Sequence, residues 1–295
     1  MENVEIHRIE NDYLSVGIKS VGAELCSIEN NLNGKEYIWQ GDPTFWGSHA
    51  PILFPIIGAL KNNTYFFEGK EYHLPKHGFF RNNENVILKR VEKEQLIFSL
   101  KYSENSLKYY PFKFELEVSF LLTRKSLEIK HQVFNLDEKP MYFSIGGHPA
   151  FNVPLFLGES YEDYYLEFDQ NMDLTTAVLS NDGLISKNSV AILNNENKIN
   201  LRKDLFNNDA LIFQDITSKK ISLNSKHNGR ILRLSYSDFN NLGLWAKPNA
   251  PYVCIEPWLG IADLEDTNQE LKNKKGINKL MPSQSFSAGY SIEIA

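Results

Sequence analysis

Phe112-Lys113-Phe114-Glu115-Leu116-Glu117-Val118-Ser119-Phe120 puts an apolar side chain at every second position and a polar one between. Successive side chains of a strand point to opposite faces, so this stretch predicts a half-buried strand with its aromatic and aliphatic face turned inward. The same period extends outward on both sides. Leu96, Phe98, Leu100 and Tyr102 precede it, and Leu127, Ile129, His131 and Val133 follow. Farther off, Leu14, Val16 and Ile18 repeat the signal near the start. Leu232, Leu234 and Tyr236, then Tyr290, Ile292 and Ile294, repeat it toward the end. Turn dipeptides punctuate these runs at Asn33-Gly34, Glu68-Gly69, Asp182-Gly183 and Asn228-Gly229. No segment keeps a 3.6-residue period through three turns with helix caps. The pattern predicts an all-β chain, a large antiparallel β-sandwich.

The 295 residues are 42% hydrophobic and 23% charged, the composition of a globular protein that buries its own core. No internal repeat, low-complexity tract or linker divides them, so one domain is expected over 1–295. The polar stretch Asn194 to Asn208 reads as a loop or short helix, and Lys272-Asn273-Lys274-Lys275 before Gly276 as a solvated turn. A formal net charge of -6 argues against a nucleic-acid partner, which calls for clustered positive charge. MENVEIHRIE carries no basic-then-apolar signal, and the longest apolar run, Pro51 to Leu60, is too short to span a membrane. The expectation is a soluble, cytoplasmic monomer or homodimer.

Cys26 and Cys254, the two cysteines, show no zinc-ligand spacing and read as small buried hydrophobes. Of seven histidines, His131 shares a strand face with apolar neighbours and is expected to be a hydrogen-bonded core residue. His7 and His227 lie among polar residues. His73 and His77 are separated by Pro75, which precludes one helix presenting both to a metal. No metal site is expected.

Three segments concentrate chemistry. His77-Gly78-Phe79-Phe80-Arg81 sets a histidine beside a glycine that permits close backbone approach. Gly146-Gly147-His148-Pro149 pairs glycines, with room for a ligand, with a histidine held extended by the following proline. A tight turn with a satisfied histidine would give the same pattern. In Tyr252-Val253-Cys254-Ile255-Glu256-Pro257-Trp258, the Glu256 carboxyl shares a face with Tyr252, Cys254 and Trp258. Burial there is costly unless the carboxyl is paired, for instance with Arg81 or Arg233, and it raises the pKa toward that of a general base. A carboxylate beside aromatic rings also suits a sugar.

With His49-Ala50-Pro51-Ile52-Leu53-Phe54-Pro55-Ile56-Ile57-Gly58 before them and Lys275-Gly276-Ile277 after, these segments stand in a characteristic order. In that order the chain resembles the aldose 1-epimerase (galactose mutarotase) family, in its bacterial branch of lactose-operon-associated proteins. The resemblance implies a sandwich with a sugar cleft across one sheet and anomer interconversion without metal or cofactor. It implies Glu256 as the base at the C1 hydroxyl, His148 as the acid at the ring oxygen and His77 as a hydrogen-bonding support. Arg81 and Asp209 would grip the sugar, and Trp258 and Phe151 would supply stacking surface. Ala59 stands where relatives often carry arginine, which Asn62 would replace in part. Two other readings remain open. One is a hexose-6-phosphate 1-epimerase using Arg81 and Lys76, and the other a non-catalytic carbohydrate-binding or regulatory protein on the same fold.

Overall fold

Every named strand pair in the computed structural model, which describes residues 4–295, is antiparallel. No α-helix forms among the described residues, and six short 3₁₀ turns join strands. None of these is long and apolar enough to cross a membrane. The alternating stretch forms Phe114–Thr123, whose even-numbered side chains are buried and whose odd-numbered ones are not. It starts two residues later than its apolar pattern, just past Pro111 and Phe112. Its register with Ser126–Asn135 pairs Leu116 with Val133 and Phe120 with Ile129, stacking the apolar faces. All four turn dipeptides link paired strands.

The dominant sheet has 15 strands. One arm of it runs through Ile52–Leu53, Ile145–Gly147, Tyr252–Leu259, Asn241–Trp245 and Leu211–Phe213 to Tyr164–Leu179. The other arm continues through Lys220–Ser225, Gly229–Ser235, Ser285–Ile294 and Ser126–Asn135 to Phe114–Thr123 and its outer neighbours. A sheet this wide twists and folds over on itself. Phe54, at one end of the path, packs its ring 5.3 Å from that of Phe114 near the other end. The two arms thus face each other as the two layers of a sandwich. A separate four-stranded sheet begins at Ile6–Glu10 and Leu14–Lys19.

This layering explains why Tyr252–Leu259 does not alternate: every residue from Tyr252 to Trp258 is buried. Two expectations are corrected. The polar stretch after Asn194 is not a loop or helix up to Asn200, because it completes the long strand Ile185–Asn200 against Tyr164–Leu179. Lys274 is not solvated; its Nζ lies 2.7 Å from Asp263 Oδ1 with both side chains buried.

Candidate active site

Tyr252–Leu259 pairs on one side with Asn241–Trp245 and on the other with Ile145–Gly147 and Ala150–Asn152. The interruption between the last two is His148-Pro149, so His148 is delivered beside Glu256 where the ladder breaks. The His148 N–H donates to Pro51 O at 3.0 Å and the Ile255 N–H to Pro149 O at 3.1 Å, fixing the segment. His148 Nε2 then lies 3.2 Å from Glu256 Oε2, with the residues 7% and 1% exposed. Neither Glu256 Oε2 nor His148 Nδ1 has an aligned hydrogen-bond partner.

Burial decides the electrostatics. It pushes the Glu256 carboxyl well above the ordinary carboxylate range, against the pull of Lys76 and Arg81 and with the help of Asp209. It also lowers His148 to about 3, an effect the charges of Arg81 and Lys76 reinforce. Desolvation outweighs Glu24, the one carboxyl that pulls the other way.

His77 occupies the left-handed region at φ 68°, an uncommon conformation for a residue with a side chain. A double clasp to Gly58 holds it. The His77 N–H donates to Gly58 O at 2.9 Å, and the Gly58 N–H donates to His77 Nδ1 at 3.1 Å. Nδ1 is thereby the acceptor, so Nε2 carries the proton and is the donor available to a ligand. Burial pushes the His77 imidazole well below its ordinary pKa, and the nearby charges of Lys76 and Arg81 act in the same direction. The two rings meet edge to face, with centroids 5.7 Å apart.

A cleft of about 1030 Å³ opens beside this group, with His77, Lys76, Asp209, Trp245 and Trp258 in its wall. Its size is at the upper end of small-molecule sites. Trp258 lies flat because its neighbours are glycines: a Cβ on Gly146 would come within 2.7 Å of the indole and one on Gly243 within 2.6 Å. A Cβ on Gly147 would meet the Tyr290 hydroxyl at 2.4 Å. The paired glycines admit protein rings, and the expectation that they leave room for a ligand is corrected.

Arg81 is partly buried and donates from Nη2 to Ser48 Oγ at 2.9 Å, while its Nε has no partner. Burial lowers its pKa, and Glu24 and Glu256 oppose that shift. Asp209 is exposed at φ 76°, with one oxygen accepting from the Ala210 N–H at 2.7 Å. Two expected residues lie apart from the group. Asn62 is exposed on the 3₁₀ turn Lys61–Asn63 and does not line the cleft, so the gap at Ala59 is not filled from there. Phe151 is wholly buried in the core.

One residue of the site, Trp46, carried no signal in the sequence. Trp46 stacks on His148 at 4.8 Å and 29°, and meets Trp245 edge to face at 5.6 Å. It comes from an irregular segment, where an aromatic residue has no periodicity to betray it. Cys254 Sγ joins His148 and Glu256, the ligand atoms of the three lying within 4.8 Å of one another.

The fold agrees with the comparisons. The family model described as Aldose 1-epimerase matches residues 5–271. The chain belongs to the aldose 1-epimerase family. Protein LacX of Lactococcus lactis subsp. lactis (plasmid form) is 36% identical, covering 97% of this chain and 98% of the relative. The crystal structure of a galactose mutarotase related enzyme from Lactobacillus acidophilus superposes with a TM-score of 0.92 at 37% identity, covering 99% of this chain and 97% of that one. A galactose mutarotase-like protein from Lactobacillus casei superposes with a TM-score of 0.92 at 31% identity, covering 99% and 100%.

Proposed function

We propose that the protein is a mutarotase that interconverts the α and β anomers of a free hexose such as galactose or glucose. The observation that supports it most is the buried His148–Glu256 contact at 3.2 Å, beside a histidine with its donor nitrogen free. Opening a hemiacetal needs a base on one oxygen and an acid on another. The Glu256 carboxylate takes the proton of the C1 hydroxyl while His148 gives one to the ring oxygen, and the bond between C1 and that oxygen breaks to leave the aldehyde. Rotation about C1–C2 exposes the other carbonyl face. Closure then returns each proton along the same path, and neither side chain is consumed.

Burial favours the neutral form of the pair, with a neutral carboxyl and a neutral imidazole. The ion-pair form that opens the ring holds the same number of protons. A sugar that hydrogen-bonds to the charged forms shifts the balance without exchange of protons with solvent. His77 Nε2–H steadies the ring oxygen, and Trp258 offers a flat face to the C–H side of the sugar.

Lys76 supports a second reading. It is exposed on the cleft wall and has no ion-pair partner among the described residues, which suits the phosphate of a hexose 6-phosphate. Polarimetry of fresh α-D-galactose, α-D-glucose and glucose 6-phosphate separates the readings. Faster equilibration of the free hexoses is the expected result. Acceleration of the phosphate alone transfers the proposal to the second reading, and saturable binding without acceleration of any sugar makes the protein a binder.

A further inference from the structure

Cys26 has a place in the fold, donating its thiol to Gly17 O at 3.3 Å. Cys254 stands elsewhere, wholly buried beside His148 and Glu256, and the acid/base scheme gives it no task. It shares a strand face with Glu256 two residues on, and His148 reaches both from the adjoining segment. Two donors at i and i+2 of one strand plus a third from a neighbouring segment converge on one point.

We propose that His148, Cys254 and Glu256 form a three-ligand site for a thiophilic divalent cation, Zn²⁺ above all, and that its occupation blocks sugar turnover. The donor set is thiolate, imidazole and carboxylate, the three that zinc takes, with a fourth position left for water. Hard cations such as Mg²⁺ and Ca²⁺ prefer an all-oxygen shell and are excluded by the sulfur. Charge also balances. A buried imidazole is neutral and ready to ligate, and a thiolate and a carboxylate together cancel the metal's two charges. The protons displaced from Cys254, and from Glu256 where it holds one, pass to solvent. The edge of a tetrahedral zinc site is about 3.3–3.6 Å, so a spread of at most 4.8 Å closes through small side-chain adjustments. Metal binding stands on this geometry alone. The inhibition rests on the acid/base reading, since zinc ties up both the base and the acid.

The test uses the full chain, stripped of metal by chelation, as wild type and Cys254→Ala, with Cys254→Ser as the alternative should alanine impair folding. Competition with a chromophoric chelator should give one Zn²⁺ per wild-type chain and an affinity at least ~100-fold weaker in the variant, ligand loss exceeding outer-shell effects. Co²⁺ should give a sulfur-to-metal charge-transfer absorption in the wild type and none in the variant. Equal affinity in both proteins, or no such absorption, overturns the site whatever the enzyme does. In anomer-exchange assays, equimolar Zn²⁺ should slow the wild type reversibly on adding EDTA and leave the variant's rate ratio near one. Zinc binding at Cys254 with an undiminished or increased rate overturns the inhibition.

Discussion

Glu24 and Glu256 are both almost wholly buried, yet they are held in opposite states. Glu24 accepts from the His49 N–H at 2.7 Å and the Ala50 N–H at 3.2 Å, and its other oxygen lies 3.1 Å from Lys19 Nζ. These partners outweigh desolvation and hold its carboxyl at about 2. Glu256 has His148 Nε2 at 3.2 Å, the Trp258 indole as a further donor nearby and an oxygen without an aligned donor, and desolvation wins. Burial alone does not decide the state of a carboxyl; the number of donors turned toward it does. Glu24 is a structural anchor for the segment that accepts the His148 N–H, whereas Glu256 keeps the unsatisfied oxygen that the proposed base requires.

That contrast can be broken in several ways. His148→Asn should lower the rate of anomer exchange by about 10²–10⁴-fold, the usual worth of a proton-transfer group, with no loss of thermal stability. Exchange followed by NMR and a melting curve of the same sample check it. Lys274→Met should instead leave Asp263 as a buried unpaired charge and lower unfolding free energy by about 3–5 kcal/mol in denaturant titration. Asp263 belongs with Glu24 on the structural side.

Glu24→Gln should cost about 3 kcal/mol at neutral pH, the value of holding a carboxyl at about 2 in place of 4.5. Because the folded pKa is depressed, this stability is complete above pH 4.5 and lost as pH falls toward 2, so the variant and wild type should converge in acid. Smallest is His131→Leu. Burial lowers this histidine to about 4 against a backbone contact with Ala288 that raises it, and neither ring nitrogen has a well-aligned partner. The leucine variant should gain about 1 kcal/mol at neutral pH. It should also lose less stability between pH 6.5 and 4, where unfolded histidine binds a proton that the folded one refuses.

The strands were legible wherever one face meets the core and the other meets water, as in Phe114–Thr123. In Tyr252–Leu259 alternation vanishes because both faces are covered, and only the oddity of Glu256 in an apolar run marked the site. His77 and Arg81 were legible as types in a motif, but the clasp that sets the His77 tautomer is made by backbone atoms of Gly58. Contacts across the sandwich left no trace in local spacing. Trp46 over His148, His148 against Cys254 and Lys274 against Asp263 are products of topology. Gly146 and Gly147 were misread for the same reason, since the rings that need their missing Cβ atoms come from distant strands.

The most direct test compares Glu256→Gln with wild type in anomer exchange of galactose and in denaturant unfolding at pH 5 and pH 8. A raised folded pKa means that Glu256 costs the wild type stability as pH climbs above 4.5 toward that pKa. The glutamine variant should exchange anomers no faster than buffer and be at least as stable as wild type, with the larger advantage at pH 8. Wild-type exchange rates in the variant, or a stability loss like that of Glu24→Gln, would contradict the role given to Glu256.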